Sequence, residues 1–307
     1  VTVVDAPAGA GTRGTGAATA ALVVVTAIWG STFVVTKDAT EGFALLSFLT
    51  WRFGIAAVVL TLLALPAWRR TPAVTVRRGA VVGLYLGAGF IAQTWGLQLT
   101  SAAVSGFITG LMVVLTPLVA LLVYREPVPG RAWIGVGVAT LGLALLALQG
   151  LSLSPGALLT LLGAVFFAFQ IASLATWAEP ADALVLTAVQ VLVAASMCAV
   201  AALVVEGGVA TPQSREEWTA VLYLALVATS VGFLVQTWSQ AHLTATRAAV
   251  VMTLEPVFAA VIAVLVAGEQ LGLRELLGGA LVIAAMAIVE LGARHGRDAA
   301  LPRVECC

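Results

Sequence analysis

Residues 89–95 read GFIAQTW, and residues 232–238 read GFLVQTW. Five of the seven positions are identical, among them the consecutive Gln-Thr-Trp, and the offset is 143 residues (232 − 89). The same offset relates Ala102 to Ala245, Glu126 to Glu269 and Gly135 to Gly278. Shared Ala, Leu or Val is common by chance in an apolar chain, but a shared Gln-Thr-Trp is not. The chain therefore holds two copies of one unit.

Composition says what kind of unit it is. The chain has 307 residues, of which 61% are hydrophobic and only 10% charged, with a mean hydropathy of +1.07. Soluble domains carry about 45–50% apolar and about 25% charged residues, so the natural solvent of this chain is a bilayer. A helix needs about 20 apolar residues to cross about 30 Å of hydrocarbon. Ten such runs occur, at roughly 19–37, 44–66, 79–98, 103–124, 131–149, 155–177, 183–205, 217–238, 246–267 and 273–292. None shows the period-two alternation of a membrane barrel, and a helix satisfies its own amides in lipid. The expected fold class is all-α and integral to the membrane, with ten transmembrane helices.

Each copy holds five spans, an odd number, so the second must enter the membrane upside down. Inverted repeats of this kind are a recurrent plan of secondary transporters, with the site between copies near the midplane. The expected domains are a disordered cytoplasmic lead at 1–18, a first repeat at 19–149, a second at 155–292 and a cytoplasmic tail at 293–307. The first apolar run passes into Trp29-Gly30-Ser31-Thr32 without a cleavage pattern, so it reads as a retained span.

Orientation follows the Lys/Arg bias of the loops. With the N-terminus inside, eleven arginines (13, 69, 70, 77, 78, 125, 131, 247, 294, 297 and 303) lie on the cytoplasmic side. Lys37, Arg215 and Arg274 lie outside, and Arg52 lies within a span. Both termini are expected in the cytoplasm and the protein in the inner membrane.

Charge inside a membrane is costly, so each intramembrane ionisable group is a functional candidate. Glu255 stands mid-span beside Pro256; it reads either as a protonatable coupling carboxylate or as a structural group at a kink. Arg52 could meet an anionic substrate, pair with Glu255 or snorkel outwards. Lys37 ends the first span, where anchoring at the interface competes with a transport role. Glu126 and Glu269 close the fourth and ninth spans, and a loop-stapling role suits both. Amides in a span need partners across helices or a wet cavity, which makes Gln93 and Gln236, at matched positions of the repeat, the best cavity candidates. Trp29 lies deep enough to line a cavity, whereas Trp95 and Trp238 suit an interfacial belt. Pro117 and Pro256 each fall mid-span and remove an amide donor, which suggests interrupted helices in corresponding halves. They are 139 residues apart rather than 143 (256 − 117), so the copies are unequal there.

Cys198, Cys306 and Cys307 form no metal-ligand spacing, and no nucleotide-binding loop is present. No cofactor or metal is implied. Zero net charge offers nothing to a nucleic acid. The implied partners are a small-molecule substrate, the lipid bilayer and, if Glu255 couples transport, protons; an oligomer is not required.

The runs AIWGSTFVVTK at 27–37, WRF at 51–53, TSAAVSGFITGLMVVLTPL at 100–118 and LEPVFAAVIAVLVAGEQL at 254–271 resemble EamA-type units of the drug/metabolite transporter superfamily. The resemblance covers about 20–292. It implies two inverted EamA units around a central cavity, and it carries Arg52, Lys37, Glu255, Pro256 and Glu269 as part of the family pattern. It further implies export of amino acids, nucleosides, other metabolites or drugs, in some relatives by proton exchange. The expected function is thus a secondary transporter exporting a small metabolite, amino acid or drug by alternating access, with proton coupling left open. A lipid or lipid-linked-sugar translocator of the same fold is the alternative. A membrane-embedded enzyme is the least favoured reading, because His242 and His295 lie in flanks without partners for catalysis.

Overall fold

The computed structural model describes residues 10–125, 130–149, 152–179, 182–243, 251–252 and 254–298. Within them the ten expected spans are all represented by helices. The first copy comprises α1 (Ala10–Gly42), α2 (Leu45–Trp68), α3 (Ala73–Gln98), α4 (Ala102–Tyr124) and α5 (Gly130–Ala147). The second comprises α6 (Pro155–Trp177), α7 (Ala183–Glu206), α8 (Arg215–His242), α9 (Glu255–Leu265) and α10 (Leu273–Asp298). The residues of span nine before α9 are described only at Val251 and Met252, which are helical. Two-residue strands, β1 (Leu148–Gln149) and β2 (Ser152–Leu153), pair antiparallel and join the copies.

Seven of the described helices are long and apolar enough to cross a membrane by themselves, and α5 and α9 contain shorter apolar stretches. Large apolar side chains such as Val58, Leu62, Leu122, Val204 and Leu265 stand exposed on the outside of the bundle. In water they would be a liability; against lipid tails they cost nothing.

Packing follows the inversion. Exchanging the copies turns α3 on α6 into α8 on α1, α4 on α6 into α9 on α1, and α3 on α7 into α8 on α2; all six contacts are made. The pairs α2–α7, α4–α9 and α5–α10 map onto themselves and are also made. The two copies are thus packed crosswise about a pseudo-twofold axis.

Several expectations need correction. Helix α1 begins at Ala10, so part of the segment 1–18 expected to be disordered is helical, and Ala18 is fully buried. Helix α10 runs to Asp298, into the expected tail. Pro117 does not interrupt its helix: α4 is continuous through it, and Thr116 Oγ1 donates to Met112 O at 2.7 Å. Pro256 does mark a break, because α9 starts afresh at Glu255 with proline in its first turn, where a missing N–H costs no helical bond. Composition gave no sign of two widened, π-helical turns, at Ala202–Glu206 ending α7 and at Leu224–Val231 within α8.

Candidate functional site

The GFxxQTW repeat builds the centre of the molecule. Gly89 and Gly232 lack a Cβ for a steric reason. One added to Gly89 would lie 2.6 Å from the Phe167 ring of α6, and one added to Gly232 would lie 2.7 Å from Trp29 Nε1 of α1. Helices α1 and α6 are equivalents in the two copies, so the same glycine admits the same neighbour's aromatic ring twice. The next residue of each motif then meets that ring: Phe90 lies 5.1 Å from Phe167, and Phe233 lies 5.3 Å from Trp29, centroid to centroid. Phe90 and Phe233 approach each other to 6.0 Å. Four rings therefore form a chain across the axis, in the tilted and edge-on arrangements that aromatic quadrupoles favour.

Beside this chain lies a cavity of about 440 Å³, counting the solvent at its mouth. Its apolar wall includes the four rings together with Phe33, Met112, Ile171 and Met252. Its polar lining is Thr32, Gln93, Thr109, Gln170 and Gln236, and its ionisable lining is Arg52 and Glu255. The volume and the apolar wall with a few polar groups suit a small-molecule site.

The polar groups are held by partners from both copies. Gln93 Nε2 donates to Thr109 Oγ1 at 2.9 Å. Gln170 Nε2 donates to Gln236 Oε1 and Gln190 Oε1, both at 3.3 Å, and Gln190 Nε2 donates to Thr237 Oγ1 at 3.3 Å. The widened turn of α8 supplies two further anchors. Ala228 O accepts from Trp29 Nε1 at 2.9 Å, and Thr229 Oγ1 accepts from Arg52 Nε at 3.0 Å. The corresponding residues 81–88 of α3 are ordinary α-helix, so this feature belongs to the second copy alone. Such turns concentrate at functional sites.

Arg52 is 1% exposed, and its guanidinium lies 4.6 Å from the Phe90 centroid and 5.4 Å from that of Phe53. Ring faces attract a cation. Glu255 is 6% exposed, and its Oε2 is buried without a hydrogen-bond partner among the described residues. The pairing of Arg52 with Glu255 considered from sequence is not made; the ion pair found among the described residues is Lys37 with Glu269, at 3.8 Å. A cation and a carboxylate thus line one cavity, neither neutralised by the other.

Of the sequence candidates, the structure brings Trp29, Arg52, Gln93, Gln236 and Glu255 together. Lys37 and Pro117 do not line the cavity. Lys37 Nζ instead donates to Thr100 O at 3.0 Å, and Glu269 accepts from Ala102 N and Ala103 N, a stapling contact. Trp95 is 36% exposed and Trp238 packs on His242 at 4.7 Å, away from the lining. Phe90, Phe167, Phe233 and Thr229 were not singled out. The repeated motif could have pointed to the two phenylalanines that it contains, but nothing local marks Thr229. Glu126, Arg247, Thr253, Cys306 and Cys307, and the side chain of Glu290, lie outside the described residues.

Comparison with known proteins gives concordant results. The model of the EamA-like transporter family matches twice, at residues 16–148 and 154–291, one match for each copy. A protein of Archaeoglobus fulgidus described as an uncharacterized transporter is 32% identical over 275 residues, covering 88% of this chain and 84% of the relative. The uncharacterized transporter YyaM of Bacillus subtilis is 27% identical over 273 residues, covering 83% and 87%. A crystal structure titled only as that of a protein superposes with a TM-score of 0.66 over 91% of this chain and 97% of the other, at 19% identity. That last likeness concerns the fold alone.

Proposed function

This chain belongs to the EamA-like transporter family, and from that premise we propose that it exports a small metabolite, amino acid or drug by alternating access, in exchange for protons taken up at Glu255. The reading takes a first five-helix repeat at 19–149 and a second at 155–292, and the family matches at 16–148 and 154–291 support that division. Cytoplasmic termini in the inner membrane are supported by the arginine bias of the loops. Cargo occupies the central cavity, with the aromatic chain as its apolar shelf and the glutamines, Arg52 and Trp29 as its orienting groups.

The observation that carries this reading is Glu255. It is a buried carboxylate, one oxygen of which has no hydrogen-bond partner among the described residues, at the start of α9 on the wall of the central cavity. A helix start favours negative charge, and the cavity wall places the group where cargo would meet it. On this reading the group carries a proton in one state of the cycle and faces cargo in the other.

Proteoliposomes with an entrapped pH dye would test this, challenged with a panel of amino acids, nucleosides and small drugs. Some compound should drive a proton flux through the parent protein that Glu255→Gln abolishes. Gradient-driven movement of that compound at the parent rate by Glu255→Gln would end the coupling role.

A further inference from the structure

Two carboxylates of the second copy sit on helix starts of the first, both at the face of the bundle away from the termini. Glu206 closes the widened turn at the end of α7. Its Oε1 accepts from Leu46 N at 2.7 Å, and its Oε2 accepts from Ser47 N at 2.9 Å and Ser47 Oγ at 2.7 Å. Ser47 Oγ in turn accepts from Ala210 N at 2.9 Å. Glu269, just beyond α9, repeats the arrangement on α4, where Oε1 accepts from Ala102 N at 2.7 Å and Oε2 from Ala103 N at 3.1 Å.

These contacts are not ordinary caps. The N-cap residue of α2 is Ala44, which has no side-chain acceptor, so α2 takes its cap from another helix. Helices α2–α7 and α4–α9 are two of the three pairs that map onto themselves when the copies are exchanged. Each carboxylate therefore spans the seam between copies rather than stapling one copy internally. Lys37 supports the second contact from α1, 3.8 Å from Glu269 Oε1.

We propose that Glu206 and Glu269 are positioning residues of the transport cycle, two releasable closures that hold this face shut and let go when it opens. The first amides of a helix have no internal partner, and they lie at its positive end, so a carboxylate binds them by charge-assisted hydrogen bonds. At the membrane surface water can take over both sides of such a contact when it separates. That makes the closure strong in one state and dispensable in the other.

The test uses the full chain with Cys198→Ala, Cys306→Ser and Cys307→Ser, and a reporter cysteine at Thr32 on the cavity wall. A membrane-impermeant maleimide is applied from either side of oriented vesicles. Thr211→Cys, exposed between α7 and α8, identifies the side that carries the closures. Glu206→Gln with Glu269→Gln should raise labelling of the reporter from that side by about fivefold or more, the lower end of typical coupling energies. Ser47→Ala, a milder change that keeps the carboxylate, should raise it less. Glu216→Gln, an exposed acid on the same face, should leave it unchanged.

A merely structural staple predicts lower thermal stability with the labelling ratio of the two sides unaltered, and that result overturns the proposal. So does an equal rise in Glu216→Gln. If the glutamine variants fail to fold, an unchanged ratio in folded Ser47→Ala overturns the role of Glu206. The readout needs no cargo, so its failure is distinct from a failure of proton-coupled export.

Discussion

Gly89 and Gly232 are where single atoms matter most. Neither backbone needs a glycine conformation, since both sit in ordinary helical geometry; each needs the absence of a methyl group. Gly89→Ala and Gly232→Ala should each cost about 1–3 kcal/mol, the usual penalty for overpacking a filled core. Thermal unfolding in detergent measures this, with Gly54→Ala as the control, because a Cβ at Gly54 meets nothing within 4 Å. Equal stability of all three variants would show that the rings move aside freely. At this scale the cavity-lining residues legible in the sequence are those whose burial conflicts with their chemistry: Glu255, Arg52, Gln93 and Gln236 are polar in an apolar run. Phe90, Phe167 and Phe233 are apolar among apolar residues, and only the fold separates them from lipid-facing side chains. Glu206 was not picked out as a closure because its partners, Leu46 and Ser47, are 160 and 159 residues away.

At the scale of elements, the two mid-span prolines have different consequences. Pro117 lies inside a continuous helix, while Pro256 stands in the first turn of one. Pro117→Ala restores an amide and should leave transport of the responding compound within about twofold of the parent, with equal or better stability, since an interior proline opposes a helix. Pro256→Ala allows span nine to run through its break and should lower that transport by about tenfold, or ~1.4 kcal/mol in the free energy of the functional state. Equal effects in the same proteoliposome assay would sink the distinction. Hydropathy located the spans well, because lipid imposes a length and an apolar character on any segment that crosses it. It could not show the widened turn in α8, which costs the sequence no polar residue and no proline. The start of α1 at Ala10 was equally hidden: Ala, Gly and Thr are weak signals until Ala18 is seen packed against Ser239, whose Oγ donates to Ala18 O at 3.3 Å.

At the scale of the whole molecule, the repeat implied that the second copy is inverted, since an odd number of spans puts it into the membrane upside down; which helices pack across the axis was not legible. Orientation is checked with the impermeant maleimide on intact cells. Cysteine at Thr211 should react from outside, and cysteine at Thr71, between α2 and α3, only after permeabilisation. The reverse pattern would invert the assigned topology. The crosswise packing also bears on biosynthesis. The carbonyl that receives the Trp29 indole N–H belongs to Ala228, 199 residues later. At translation rates of about 5–20 residues per second, that partner follows roughly 10–40 s after Trp29. Throughout that interval α1 is already in the membrane, or in whatever shelters it, with a polar ring edge and no acceptor. A half-made chain of this design is an unfinished surface, and its first helices gain their native polar partners only when α8 is made.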